Sequence, residues 1–273
     1  MIQKSLMQCA VVIILLITTC FSSSATIIPV TNANDNLTGS LRLALLTALD
    51  GDTIRFDAAL DGVVQTLGLG EITITKSLVI EGNGPGNTIL SGSDLFRVFH
   101  IVDADLVVFK NLTITNGHTN SSGGGILCEN SSLNIINSIV TNCVAQGDSA
   151  TQGGGGIANF GGMLTISDSS IISNNSCTGL LGSGGGILNS LGGTLTIENT
   201  TISGNVSIRA GGGIEDNSGD ASLVVLTNVL LEANTTGGSP GNGGAVHITG
   251  NGDIQINGSW VIQNQADAEG GGL

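Results

Sequence analysis

Apolar and polar residues alternate with a period of two in short phrases along most of the chain. Leu195 and Ile197 flank Thr196 and are followed by Glu198, and Leu164 and Ile166 flank Thr165 in the same way. That period puts every second side chain on one face, so each phrase predicts a β-strand with one buried side. The phrases continue to an aliphatic-x-x-Asn ending. They read LNIINSIVTN to Asn142, LTISDSSIISN to Asn174, LTIENTTISGN to Asn205, VVLTNVLLEAN to Asn234 and IQINGSWVIQN to Asn264, with VVFKNLTITNG to Gly117 as an earlier copy. Before each of the five full phrases stands a glycine cluster closed by an aliphatic residue, and a sixth cluster ends the sequence. The closing residues are Ile126, Ile157, Ile187, Ile214, Val246 and Leu273, spaced by 31, 30, 27, 32 and 27.

A unit of about thirty residues is too short to bury its own apolar face, so it must stack on its neighbours. The pattern predicts an all-β, right-handed parallel β-helix over residues 61–273. Ile126, Ile157, Ile187, Ile214 and Val246 should form one ladder, Leu164, Leu195 and Val224 a second, and Ile166, Ile197 and Leu226 a third. The glycines suit turns that need positive φ or close backbone approach, and the recurring Asn suits a left-handed turn that bonds along the stack. Residues 26–60 differ. Ser40 is placed to cap a helix through Leu49, ending at Asp50-Gly51. A short helix there would cover the open strand edges at the first coil.

Residues 1–25 carry Lys4, the apolar run Ala10–Ile17 and small residues Ser22 to Ala25, the order of a signal peptide cleaved near Ser24 or Ala25. The run is too short to span a bilayer, and no later segment is long enough, so a secreted chain without a membrane span is expected after leader removal. Such a chain has 6 basic and 21 acidic residues, a net charge of −15, with Arg209 the one Lys or Arg after Lys110. A surface this acidic repels nucleic acid, anionic lipid and polyuronate unless divalent cations intervene. Three cysteines follow the leader, and export makes disulfides available. Cys143 and Cys177 fall near turns of adjacent coils and are expected to bridge, leaving Cys128 buried.

The paired glycine clusters and aliphatic-x-x-Asn endings resemble the repeats of polymorphic outer-membrane proteins, and TIIPVTNANDNLTGSLRLALLTALDGDTIRFD (26–57) is similar to the N-terminal cap of large bacterial surface β-helix proteins. Both lie in the pectate-lyase-like superfamily. Here Ile, Leu or Val replaces the Phe usual before x-x-Asn, and the C-terminal barrel or anchor of such proteins is absent, so the helix reads as incomplete at its C-terminus. The resemblance implies adhesion or display outside the cell, and a host-cell surface, matrix or glycan is the partner expected. That no carboxylate cluster recurs at one face and that cations are nearly missing from the repeats point to no catalysis. The alternatives are a carbohydrate-active enzyme of the same superfamily and a structural spacer.

Candidate chemistry is sparse. Alignment on the glycine clusters places Glu215 beside His247 on the next coil, with Asp216 adjacent. A carboxylate that tunes a histidine is one way to build an acid/base pair, and a solvated cross-strand pair is the bland reading of the same residues. Glu215 and Asp216 are consecutive, so on a strand they face opposite ways and cannot share one glycosidic bond. His118 is the other basic candidate in the repeats. Asp103 and Asp105 have the oxygen chemistry for Ca²⁺, the one cofactor the pattern raises, and a solvated turn is their alternative. Nine N-x-[S/T] sequons occur, at Asn36, Asn111, Asn120, Asn130, Asn174, Asn199, Asn205, Asn234 and Asn257, a number that a chain rich in Asn, Ser and Thr produces unselected.

Overall fold

The computed structural model describes residues 25–219 and 222–273. The leader reading therefore falls, but for Ala25, outside the described residues. The chain is a parallel β-helix whose strands form four sheets of nine, eight, seven and six strands. One coil runs Ile157–Phe160, Met163–Ser167, Ile171–Ser173 and Ser176–Cys177, contributing a strand to each of sheets C, A, B and D in turn. Among the described residues every strand pairs in parallel with its neighbours, and apart from the single 3-10 turn Ala58–Leu60 the connections between sheets are turns and loops.

The predicted ladders form. Ile126, Ile157, Ile187, Ile214 and Val246 stack in register in sheet C, and Phe99 and Ile72 continue the column toward the N-terminus. Leu164, Leu195 and Val224 stack in sheet A, as do Ile166, Ile197 and Leu226. All these side chains are buried, and the apolar core is aliphatic apart from Phe56 and one tilted pair, Phe99 and Phe109, with ring centroids 4.7 Å apart. Dispersion and apolar burial between similar rungs thus hold the coils together with few aromatic groups.

The glycine clusters serve two needs. Gly184 adopts φ +70°, and a Cβ on the next residue, Gly185, would run into the carbonyl oxygens of Gly212 and Val206. One glycine turns the chain and its neighbour lets adjacent coils approach. At the other end of the molecule, Ser40 caps the helix Leu41–Thr47, its side chain accepting from the Leu43 amide at 3.4 Å. Leu41, Ala44 and Leu45 face the core, so the helix covers its open end. Parallel pairing already begins with Ile27–Val30 on Thr53–Phe56, the first two strands of sheet A.

Two expectations need correction. The recurring Asn divides into two columns. Asn142 and Asn174 occupy left-handed turns at φ 53° and 54°, in register with Gly204, Ala233 and Gln263. The next position points inward, and there Asn175, Asn205, Asn234 and Asn264 form a buried ladder headed by Cys143. Each Nδ2 donates to the next Oδ1, at 3.0 Å for Asn175 to Asn205, 2.9 Å for Asn205 to Asn234 and 3.0 Å for Asn234 to Asn264. Each Oδ1 also accepts a backbone amide, the Cys143 N–H reaching Asn175 at 3.0 Å.

Cys143 and Cys177 do not bridge. All three cysteines among the described residues are free thiols, and Cys177 stands across from Ala145, two positions beyond Cys143. Two steps along a strand and one across put the pair about 8 Å apart, beyond the ~7 Å limit between bridged Cα atoms. Burial pushes each of the Cys128, Cys143 and Cys177 thiols up to about 12, which leaves them inert near neutral pH.

Candidate histidine–carboxylate sites

The outward-facing column of sheet C carries the chain's acid/base chemistry at its two ends. In order along the stack it reads Thr73, His100, Leu127, Ala158, Leu188, Glu215 and His247. The three central residues are buried although they face away from the core. A loop from an earlier coil reaches this sheet, since the Asn217 amide donates to the Ala150 carbonyl at 3.0 Å across 67 residues of sequence.

Glu215 and His247 meet as the register predicts, but the pair is not solvated. Glu215 is 0% exposed, and both carboxylate oxygens are engaged. His247 donates from Nδ1 to Oε2 at 2.9 Å, Thr249 donates to Oε1 at 2.8 Å, and Arg209 lies 3.7 Å from Oε1. The outward-facing apolar column and the loop above it exclude water, so the charge is met by side chains instead. Asp216 is also 0% exposed and faces the interior. It accepts from Asn189 Nδ2 at 2.8 Å and from Ser222 Oγ at 2.5 Å, extending the inward column of Cys128, Asn159 and Asn189. The structure therefore joins Glu215 to His247 and separates Asp216 from both. Glu215 orients the imidazole, and His247, a quarter exposed, is within reach of solvent, as is Arg209, a fifth exposed.

A second cluster lies at the other end of the column, where sequence reasoning found nothing. His100 Nε2 is 2.6 Å from Glu129 and its Nδ1 is 3.7 Å from Glu71, which also pairs with Arg97 at 2.5 Å. Glu71 first, and then Glu129, hold the His100 imidazole above its ordinary value against the opposing effect of burial. Glu71 is in turn held low, by His100 first and then by Arg97. Arg97 also donates to the carbonyls of Ser122 and Gly123, which ties the first glycine cluster to this site. Glu71 and Arg97 line an open cleft of about 640 Å³ with Asp94, His118 and Asn120. His118, the basic candidate in the repeats, is thus brought to this cleft and not to His247. The signal available in the sequence was the column itself, since His100 sits one coil before Leu127 at the same register. The glycine cluster that marks the other coils is missing there.

Asp103 and Asp105 lie on an exposed turn, Asp103 at φ 53° with its carboxylate accepting from Asn130 Nδ2 at 3.3 Å. Ca²⁺ takes six to eight oxygen ligands. Among the described residues no group of three or more His, Cys, Asp or Glu side chains gathers as a metal would require. This turn does not fit a calcium cage. No helix among the described residues is long and apolar enough to cross a membrane.

No protein-family model and no curated protein matches the chain. Among solved structures, the crystal structure of pectate lyase Pel9A is similar to it, at 14% identity over 86% of this chain and 80% of that one, with a TM-score of 0.41.

Proposed function

We propose that the chain is the passenger of an extracellular surface protein, exported by the leader at residues 1–25, that displays a binding face for adhesion and does not catalyse. Its repeats are of the kind found in polymorphic outer-membrane proteins. The observation that carries the reading is the fate of the repeat coils' best acid/base candidates. Glu215 and Asp216 are fully enclosed, with every carboxylate oxygen occupied by a protein donor. A general acid or nucleophile must touch its substrate, and these two hold the solenoid's own side chains.

The enzyme alternative has its best footing in the cleft beside Glu71 and His118, where acid, base and open volume coincide. One assay separates the two readings. Pectate, alginate and neutral glycans incubated with the protein, with and without Ca²⁺, should yield no sugar products. Product release that disappears in Glu215→Gln, His247→Ala, Glu71→Gln or His118→Ala would replace the adhesin with a carbohydrate-active enzyme.

A further inference from the structure

The outer face of sheet B carries a column of part-exposed side chains on successive coils. Ile171, Thr201, Leu230 and Trp260 stack in register on successive coils, with the Thr141, Ser173 and Ser203 hydroxyls in the parallel column two positions on. Trp260 is the only tryptophan of the chain, and it is 63% exposed although indole is among the most costly side chains to leave in water. At the edge of this face, Asn199 and Asn228 hold left-handed turns at φ 47° and 54°, the Asn228 amide donating to Asn199 Oδ1 at 3.3 Å. Ile171, Asn199, Thr201, Asn228, Leu230 and Trp260 line a groove of about 400 Å³ in which no residue is ionisable, on a protein whose net charge is −14.

We propose that this groove binds an extended, neutral, β-linked glycan that runs along the helix axis, with one sugar ring stacked on the Trp260 indole. The proposal rests on the display reading above and names its ligand class. Three features select that ligand. An exposed indole offers a flat apolar face, which suits the C–H face of a pyranose ring and, with its electron-rich face, serves an anionic ligand poorly. The stacked Asn199 and Asn228 amides and the Thr201 hydroxyl supply paired donors and acceptors for ring hydroxyls. Coils repeat every ~4.8 Å, close to the rise of one hexose in an extended β-linked chain, so successive sugars meet successive rungs. A polyuronate is disfavoured, since no cation lines the groove and Glu232 stands two positions beyond Leu230 on the same face.

With one tryptophan and no tyrosine, emission excited at the indole band reports on this groove alone. The protein should be made without N-glycosylation, because Asn199-Thr200-Thr201 is itself a sequon. Titration with cellohexaose or mannohexaose should quench or blue-shift the emission saturably, and hexagalacturonate should not. By calorimetry, Trp260→Ala should weaken binding at least tenfold with an unchanged circular dichroism spectrum, Trp260→Phe should keep most of it, and Asn228→Ala should weaken it several-fold. Equal binding of cellohexaose by wild type and Trp260→Ala would overturn the groove and leave the display reading standing. Absence of a spectral and calorimetric response to both neutral hexaoses would overturn the groove as well. Cleavage of a hexaose that binds would instead overturn the display reading, with Trp260 retained as the place where the glycan sits.

Discussion

On the outer face of sheet A, Arg55, Glu81 and Lys110 stand on three successive coils, and Glu81 pairs with both neighbours, at 2.6 and 3.0 Å. Inside the later coils, Asn175, Asn205, Asn234 and Asn264 are joined by amide hydrogen bonds of 2.9 to 3.0 Å. Both are ladders along the same axis, but one is charged and exposed and the other neutral and buried. The basic residues follow this division, since Arg42, Arg55, Lys76, Arg97 and Lys110 all belong to the first coils and Arg209 alone to the rest. The difference shows how a strongly acidic solenoid can stack without cations. Each Asn offers two donors and two acceptor sites and satisfies the coil before and the coil after, at no cost in charge. Half-exposed ion pairs contribute little and weaken with salt, whereas a buried amide chain is costly to interrupt. The repeat half consequently needs no surface ion pairs for cohesion.

The largest effect should come from breaking the neutral ladder. Asn205→Ala removes the donor to Ile172 O and Asn234 Oδ1 and strands the Asn175 amide, so a loss of about 3 kcal/mol is expected from the unfolding midpoint in urea. Asn199→Ala, in an exposed turn of the same coil, should cost far less. A loss no larger at Asn205 than at Asn199 would mean that the ladder is incidental to cohesion.

That prediction also marks where the sequence was legible. Period-two phrases show which residues face inward, because a strand has no other way to hide Leu195 and Ile197. The ladder column was not legible at its start. Asn174 and Asn175 are consecutive, and Cys143 follows Asn142, so a pattern keyed on Asn aligned the turn residue in two coils and the inward residue in three. A one-position slip exchanges the two faces of a strand. The cysteine pair failed for another reason: Asn142 does align with Asn174, and the two positions that then separate Cys143 from Cys177 are too far for a bridge. The Glu215–His247 neighbourhood was legible from spacing alone. Its burial was not, because it depends on a loop whose attachment to Asn217 comes from 67 residues away. The His100 cluster escaped because Glu71, Arg97 and Glu129 come from three coils, the first two without a repeat signature.

A smaller effect is expected from the charged ladder. Burial of the Glu81 carboxyl raises it, but Arg55 and Lys110 together hold it below its ordinary value. Glu81→Gln should cost about 1 kcal/mol at low salt and almost nothing in concentrated NaCl. An undiminished loss at high salt would place the contribution of Glu81 in packing rather than charge.

The smallest effect should be a pH dependence confined to the first coils. The folded value of His100 is raised, so its contribution is fully present below its ordinary value of 6.5 and is lost as pH rises through the folded value. The difference in urea midpoint between wild type and His100→Gln should therefore favour wild type at acid pH and shrink on going to alkaline pH. A difference that grows with pH would reverse the assignment of His100 as the cation between Glu71 and Glu129.

Amide hydrogen exchange at low and high ionic strength, roughly 0.05 and 1 M NaCl, tests the division between the two halves most directly, because charged pairs are screened at the higher value and buried amide pairs are not. The prediction is that exchange in the strands carrying Arg55, Glu81 and Lys110 speeds up relative to the Cys143, Asn175, Asn205 and Asn234 amides, whose protection stays constant. Equal acceleration in both halves, or a greater one along the asparagine ladder, would contradict the account.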